Sequence, residues 1–455
     1  MRFHLSAAFI ACLFAAMPLS ALELSFIEAQ NRLAEVSDAM AGSQSQLENR
    51  QHLAKASKSL SYPEVTLDVR QIRFAKTVYI DDKIDLDDIR SFAQLVNLNI
   101  PSKGKVQDWR TRPIVTATLP LWTGGKISAG KAAAQASVDE AQAQLSNTQQ
   151  QELSQLIQAY FGQQMATHVL SVRTDVRAGL QQHYHRASRL EDEGFATKAQ
   201  MLQAKVALDE AEREYRKALN DLQGAQAALS GLLHTPQIVT PSSPLFVWLK
   251  PLPATEQFIT SALEQHPGLL RIKAIQNQAE QKIKAEKADW YPTVYAFGQY
   301  DLKKDDALLT DSDWVVGLGF SYQLFSNQNR NRQIKAARSQ ADQAAYSLQD
   351  NQVKLRIAVE RAWLAADSAR QQFILLDSAL ESANENLRLQ DLSFQSGQAT
   401  SLDVIDASLQ KGKVRIERAQ AAWQFDLALM QLLEVSGQTT QFTHYLNQAD
   451  KVLTP

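Results

Sequence analysis

Two aspartates in the second half of the chain, Asp403 and Asp406, have the spacing of side chains that share a helix face. On one face, the two carboxylates would present their charges to the same space. Asp403 has a second interpretation, because it follows Thr400 by three residues, as the acidic residue of a capping box does, and the helix dipole favours an acid in the first turn. Capping explains Asp406 less well, since Asp406 lies one turn further into the helix.

Histidines and known catalytic motifs give the sequence little further chemistry. His183 and His185 form an HxH pair, but residues two apart on a helix point to different faces, which argues against a metal site. The sequence has no nucleophile elbow, P-loop, Rossmann fingerprint or HExxH motif. Its single cysteine, Cys12, excludes a disulfide scaffold, a thiolate zinc cluster and a CxxC redox site. We therefore predict no catalytic residues, no metal site, no cofactor and no enzymatic activity.

Charge and composition exclude one class of partner and favour long structural elements. Lysine and arginine number 47 against 49 aspartates and glutamates, for a formal charge of -2. That balance excludes the dominant basic surface that nucleic-acid binding needs, so no nucleic-acid partner is expected. The 17 glycines and 13 prolines are few for 455 residues. So few breakers predict long, uninterrupted elements.

Residues 1–21 have the pattern of a secretory signal peptide. Arg2 supplies the positive start, residues 5–17 are apolar, and Leu19-Ser20-Ala21 offers a cleavage site with small residues. Cys12 leaves lipid attachment open as an alternative, although little apolar sequence precedes it. Cleavage near Ala21 would leave a mature chain without cysteine, which suits an exported protein.

The chain repeats itself at a constant distance. Shifted by 203 positions, residues 121–232 fall on 324–435 without a gap. The matches include Leu121-Trp122-Thr123 with Leu324-Phe325-Ser326 and Gly194-Phe195-Ala196-Thr197 with Gly397-Gln398-Ala399-Thr400. A second offset of 229 pairs Tyr62-Pro63 with Tyr291-Pro292. We assign the difference in offset to a longer polar insertion in the first half, at about 75–111, with an acidic run over Asp81–Asp88.

Each half has the pattern of strand, strand, long helix, turn and shorter return helix. Apolar or small residues recur at 4,3,4 spacing in the long helices, which is coiled-coil patterning that permits close packing. Glycines at the turns end the long helices, and Thr-x-x-Gln or Thr-x-x-Asp capping boxes begin the return helices. The predicted organisation is a signal peptide (1–21), a first repeat (22–233), a proline-rich connection (234–255), a second repeat (256–436) and a C-terminal tail (437–455). The first repeat has strands at about 62–74 and 112–122, a long helix at about 124–192 and a return helix at about 197–233. The second repeat has strands at about 290–302 and 313–325, a long helix at about 327–395 and a return helix at about 400–435. Further helices are predicted at about 24–59 and 256–289.

Residues 313–325 alternate with period two, which predicts a strand with one apolar and one small or polar face. The apolar face would carry Trp314, Val316, Leu318, Phe320, Tyr322 and Leu324. Strands of about ten residues with tryptophans near their ends suit a tilted membrane strand. An ordinary soluble antiparallel sheet remains the alternative. Four strands cannot close a membrane barrel by themselves, so membrane strands would have to be shared with further copies of the chain.

The signal peptide, the tandem halves and two local motifs together resemble the TolC-type outer-membrane channel family. The motifs are the strand-to-helix corner Pro120-Leu121-Trp122-Thr123-Gly124-Gly125-Lys126 and the turn sequence Gly397-Gln398-Ala399-Thr400-Ser401-Leu402-Asp403-Val404-Ile405-Asp406-Ala407. The resemblance implies a mostly helical homotrimer with a shared 12-stranded barrel in the outer membrane of a Gram-negative bacterium and a helical tunnel across the periplasm. It also implies docking to a periplasmic adaptor protein and to an inner-membrane transporter of RND, ABC or MFS type, for efflux or type I secretion.

The resemblance also implies roles for individual residues. Asp403 and Asp406 would line the narrow periplasmic mouth, where three copies would form a cation-favouring ring of carboxylates. Phe394 matches an aromatic that helps to close the mouth, although a core-facing aromatic is an equal interpretation. At position 399 this chain has alanine where some relatives carry a gating basic residue, and Lys198 is a candidate substitute. The residues expected to contact the adaptor are Gly194, Thr197, Lys198, Gly397, Gln398 and Thr400.

A soluble periplasmic coiled-coil scaffold or adaptor without a pore is the alternative function. The strands distinguish the two, because a scaffold does not need strands with apolar faces.

Overall fold

The computed structural model describes residues 22–79, 103–303 and 312–453. The signal peptide predicted at 1–21 and the acidic run Asp81–Asp88 lie outside these residues. The described helices are α1 (Phe26–Val36), α2 (Asp38–Ser57), α3 (Lys126–Asp192), α4 (Lys198–Leu232), α5 (Thr255–Gln265), α6 (Pro267–Ala288), α7 (Arg330–Gln395), α8 (Ser401–Val435) and α9 (Phe442–Asn447). The described strands are β1 (Leu22–Leu24), β2 (Glu64–Tyr79), β3 (Lys103–Trp122), β4 (Val239–Pro241), β5 (Leu245–Val247), β6 (Thr293–Asp301), β7 (Trp314–Ser321) and β8 (Lys451–Leu453). Among these residues no helix is both long enough and apolar enough to cross a membrane.

The helices predicted around the two turns run as α3, α4, α7 and α8, with ends within three residues of the expected ones. The long helices α3 and α7 contain 67 and 66 residues. Neither contains a proline, the residue that removes a helical hydrogen bond and clashes with the preceding turn. Backbone hydrogen bonding can therefore continue over the whole length.

Two other predicted helices are each broken into two. The helix predicted at 24–59 ends at Val36 and restarts at Asp38, because the Ser37 hydroxyl accepts a hydrogen bond from the Met40 N–H and so caps a new helix. The helix predicted at 256–289 breaks before Pro267, which begins α6 in the position where a missing N–H costs least. Both breaks obey the 229-residue offset, so α1 and α5 are equivalent helices of 11 residues.

The interpretation of 75–111 as an insertion separate from the strands is wrong at both of its ends. Strands β2 and β3 continue into it, with pairs from Ala75 and Gln107 to Tyr79 and Lys103. The sequence there is rich in charge and lacks the clean alternation seen further along. Backbone pairing sets the strand ends here, and the side-chain pattern does not reveal it.

The described residues form two compact units: the first lies within Met1–Asn49, Asp139–Ala274 and Ala345–Pro455, and the second within Arg50–Val138 and Ile275–Ala344. The second unit contains an antiparallel sheet of order β2-β3-β6-β7. Tyr295 and Phe297 of β6 face Gly319 and Gly317 of β7, and a Cβ at either glycine would meet the ring opposite. The small face predicted for 313–325 thus accommodates aromatic rings.

Both edge strands of this sheet expose apolar side chains. On β7 these are Trp314, Val316, Leu318 and Phe320, and on β2 they are Val65, Leu67 and Val69. Strand β7 stops at Ser321, so residues 322–325 of the predicted strand lie outside it. Just after the C-terminal end of β3, at the same end of the sheet, Gly124 turns the chain into α3 with a φ of 62°, and a Cβ there would collide with the Ala288 carbonyl and Tyr291.

The first unit has an aromatic core that joins both halves of the sequence. Phe26, Tyr160, Phe161, Phe246 and Phe442 are fully or almost fully buried, with neighbouring ring centroids 5.2–6.1 Å apart. The proline-rich connection forms β4 and β5, which pair with β1 and β8. The C-terminal tail is therefore part of the core, which the sequence alone did not predict.

Candidate functional site

The predicted contact residues lie at two turns of the first unit, one between α3 and α4 and one between α7 and α8. Gly194 and Gly397 adopt left-handed φ values of 78° and 72°. After each glycine two successive backbone N–H groups donate to one carbonyl, that of Leu190 in the first turn and of Ser393 in the second. Glycine is the residue that ends a helix in this way at low cost. Both turns are therefore specified by the repeated sequence.

Each return helix begins with a complete capping box. Thr197 pairs with Gln200 in the first turn and Thr400 with Asp403 in the second. One Asp403 carboxylate oxygen accepts from the Thr400 N–H and hydroxyl, both at 2.7 Å. These bonds lower the pKa of Asp403 below its ordinary value. Capping is thus an observed role of Asp403.

Asp406 has no such local partner. Its side chain is exposed, like that of Asp403, and no hydrogen bond or ion pair to it occurs within the described ranges. The equivalent positions in the first half carry Gln200 and Gln203. The second turn alone therefore presents two carboxylates on one helix face.

Phe394 is buried within the chain, against a histidine. Its ring centroid lies 5.0 Å from that of His183 on α3. His183 is buried and His185 is exposed, so the two histidines point to different faces. No cluster of potential metal ligands is present in the parts of the chain that the structure covers.

The structure adds two links between α3 and the second turn that the sequence did not reveal. His183 Nε2 lies 2.7 Å from the Ser401 hydroxyl, and Arg186 donates to Asp391 at 2.6 Å. The two residues of each pair are more than 200 positions apart in the sequence, and neither pair joins positions that are equivalent in the repeat. Only a prediction of which helices pack together could have found them.

The remaining turn residues are accessible. Lys198 and Gln398 are exposed, and Lys198 forms no ion pair with any residue that the structure describes. Position 399 is alanine and cannot form an ion pair. Arg186 and Asp391 form an ion pair near this turn. Phe195, next to Gly194, is 81% exposed, and the sequence analysis does not assign it to the contact.

Equivalent positions of the two halves differ sharply in burial. On α3, Val172 and Phe161 are 3% and 0% exposed, whereas their equivalents on α7, Leu375 and Leu364, are 71% and 62% exposed. The return helices show the reverse difference. Ile405 of α8 is 4% exposed and packs in a cluster with Val172, while its equivalent on α4, Leu202, is 49% exposed. The α3–α8 contact within the chain thus has no counterpart between α7 and α4 of the same chain.

The family model described as outer membrane efflux protein matches residues 29–234 and 258–438. The chain therefore belongs to the outer membrane efflux protein family.

Relatives and solved structures agree with this assignment. The outer membrane efflux protein BepC of Brucella suis is 26% identical over 348 residues, which cover 74% of this chain and 75% of BepC. The cobalt-zinc-cadmium resistance protein CzcC of Cupriavidus metallidurans is 26% identical over 66% of this chain and 70% of CzcC. The open-state MtrE outer membrane channel of Neisseria gonorrhoeae superposes with a TM-score of 0.71 at 14% identity, over 91% of this chain and 89% of MtrE.

These findings confirm several predictions. The family resemblance, the mostly helical fold, the outer-membrane location and the general function in efflux are all confirmed. The family consists of channel proteins. No finding favours the soluble scaffold.

Proposed function

We propose that three copies of this chain assemble into a passive conduit through the outer membrane, with the two helix turns of each copy at its periplasmic mouth. The observation that carries the proposal is the difference in burial between equivalent helix faces. Val172 and Ile405 are buried in one cluster within the chain, whereas their equivalents Leu375 and Leu202 are left uncovered. A second copy would bring α4 of one chain against α7 of the next and so repeat the α3–α8 contact.

Such a contact joins two different surfaces and therefore closes into a ring when the rotation between copies is right. The uncovered apolar faces also favour it, because burial of exposed leucines removes apolar area from water. The sheet supports the same arrangement. Its edge strands β2 and β7 carry exposed apolar side chains, and joining them between three copies would give a shared twelve-stranded barrel.

In the assembled mouth, Asp403 and Asp406 of three copies would form a ring of carboxylates. Negative charge at a constriction raises the local concentration of cations and repels anions. The capping bonds of Asp403 do not oppose this role, since they hold its carboxylate ionised and in a fixed position. Phe394 would act from behind the surface, through its packing on His183.

No feature of the residues that the structure describes would drive transport, so the energy would come from partners. A periplasmic adaptor protein and an inner-membrane transporter of RND, ABC or MFS type fit this role. The exposed turn residues would contact the adaptor. Glycine caps and capping boxes fix the backbone of both turns before binding. Such preorganised surfaces lose little entropy on binding. The turn residues assigned to this contact are Gly194, Thr197, Lys198, Gly397, Gln398 and Thr400.

Ion selectivity in planar lipid bilayers tests the proposed mouth. The wild-type protein should conduct with a preference for cations, and Asp406→Asn should lower that preference. Asp403→Asn should lower it similarly, because asparagine removes the charge while its amide oxygen can still accept the capping bonds. The matched control is Asp221→Asn, an exposed aspartate on α4 away from the turns. Unchanged selectivity in both turn variants would remove the carboxylate ring, and absence of conductance in the wild type would contradict the channel itself.

A further inference from the structure

One buried histidine contacts both helices that flank the second turn. His183 projects from α3 and reaches Ser401, the first residue of α8, and Phe394, in the last turn of α7. We propose that neutral His183 is a positioning residue that holds the α7–α8 turn against α3, so that the resting position of this turn depends on pH. We call His183, Phe394 and Ser401 the histidine latch. The proposal rests on the proposed function only in taking this turn as part of the channel mouth.

The geometry makes the latch specific. The Nε2 atom of His183 lies 2.7 Å from Ser401 Oγ, and both residues are almost completely buried. The imidazole ring also packs on Phe394, with the ring planes inclined by 55°. One side chain therefore fixes the end of α7 and the start of α8 at the same time.

The other nitrogen of the ring makes protonation costly. His183 Nδ1 is buried and has no hydrogen-bond partner within the described part of the chain. This favours the neutral tautomer that carries its proton on Nε2 and donates to Ser401. A second proton would have to go on Nδ1, where it would create a buried donor without an acceptor. Movement of the turn would relieve that cost by admitting water.

The charges around the histidine act in the same direction. A cleft of about 300 Å³ beside His183 is lined by Arg186 from α3, Asp391 and Arg388 from α7, and Lys411 from α8. The Asp391 carboxylate is already paired with Arg186 at 2.6 Å. Arg388 is likewise paired with Glu385 at 2.7 Å. A protonated imidazole would therefore add positive charge near Lys411, in a cleft where both of these carboxylates are already paired.

Burial, assisted by Arg186 and opposed by Asp391, lowers the pKa of His183 below its ordinary value. A histidine in the released, hydrated turn would titrate near its ordinary pKa of about 6.5. The latch is therefore at full strength above that pH. As the pH falls from about 6.5 toward the lowered pKa, protons favour the released turn, by up to about tenfold per pH unit for one site.

Amide hydrogen exchange of the turn tests this in the full-length, detergent-solubilised protein. Protection of residues 394–401 is measured between pH 5 and pH 8 and corrected for the pH dependence of intrinsic exchange. In the wild type, we expect protection to fall by up to about tenfold per pH unit below about pH 6.5. His183→Gln, which keeps a polar group but cannot titrate, should give a flat profile. His185→Gln, which removes the exposed histidine two residues away, should behave as the wild type.

A flat wild-type profile would overturn the proposal without any appeal to a variant. A His183→Gln profile with the wild-type slope would overturn it as well, because another group would then be responsible. Bilayer conductance separates this proposal from the function on which it rests. Conductance without pH-dependent exchange removes the latch and leaves the channel, whereas pH-dependent exchange without conductance supports the latch and removes the channel.

Discussion

Replacement of Leu375 by alanine should weaken assembly of the protein without harming the single chain. Leu375 is 71% exposed on α7, and its equivalent on α3 is almost completely covered. If assembly covers Leu375 to the same degree, about two thirds of the side chain leaves water at each interface. Three carbon groups are lost on replacement by alanine, each worth about 0.8 kcal/mol when fully buried.

The expected loss is therefore about 1.5 kcal/mol per interface. A closed ring of three copies has three such interfaces, so the loss sums to about 4–5 kcal/mol, or about a thousandfold in the assembly constant. Native mass spectrometry after refolding into detergent, at a series of protein concentrations, gives the fraction of assembled protein. The Leu375→Ala variant should need the higher concentrations to assemble.

The matched control is Leu402→Ala. Leu402 is exposed as Leu202 is, but its equivalent in the first half, Ala199, is exposed too, so the repeat predicts no interface there. Leu202→Ala should also weaken assembly, and its loss should add to that of Leu375→Ala, because the equivalent of Leu375, Val172, lies opposite Gly412 and not opposite Ile405, the equivalent of Leu202. Equal assembly of the Leu375→Ala and Leu402→Ala variants would refute the reasoning.

Two further predictions concern the first unit. Complete burial raises the pKa of Asp426 well above its ordinary value, and the backbone of Phe246 opposes this shift. The Asp426 carboxyl ionises at lower pH in the unfolded chain than in the native one, so it destabilises the protein increasingly as the pH rises above about 4. Asp426→Leu should therefore raise Tm at pH 7.5 and raise it progressively less toward pH 4. An equal or larger gain in Tm at pH 4 would contradict the assignment. Gly412 allows α8 to approach α3, since a Cβ there would lie 2.6 Å from Val176, so Gly412→Ala should cost about 1–3 kcal/mol by overpacking. Gly224→Ala, with open space at its Cβ, should be neutral or gain up to about 1 kcal/mol in helix propensity, and a similar Tm for both variants would rule out the close contact.

Local signals explain why the long helices could be predicted from the sequence. Gly194 and Gly397 end helices through their own backbone geometry, and Thr197 and Thr400 begin helices through bonds to residues three positions away. Each of these signals acts within one helical turn. The break before Pro267 is equally local, but the helical pattern on both sides of the proline is continuous and hides it in the sequence.

The candidate site could be predicted only in part, because half of it is made by packing between distant segments. The spacing of Thr400 and Asp403 predicts their capping box from the sequence, whereas nothing near His183 in the sequence indicates Ser401 as its partner. The sequence allows two interpretations of Phe394, since an aromatic residue before a turn fits a mouth or a core equally well. Its burial against His183 shows that, in the single chain, it faces inward.

The same duplication that made the fold predictable explains why the two turns differ. Among the described residues, no links like those of His183 and Arg186 tie the first turn to a distant helix. Its equivalents of Phe394 and Ser401 are the charged residues Glu191 and Lys198. A chain that buries one half's return helix against the other half's long helix can place such links only at the buried contact. The turn tied from within the chain can then respond to chemistry inside that chain, such as a proton on a buried histidine. The first turn lies beside the uncovered face of α4, so its position would depend on contact with the neighbouring copy. Protonation of His183 would therefore affect the second turn, and contact between copies would affect the first.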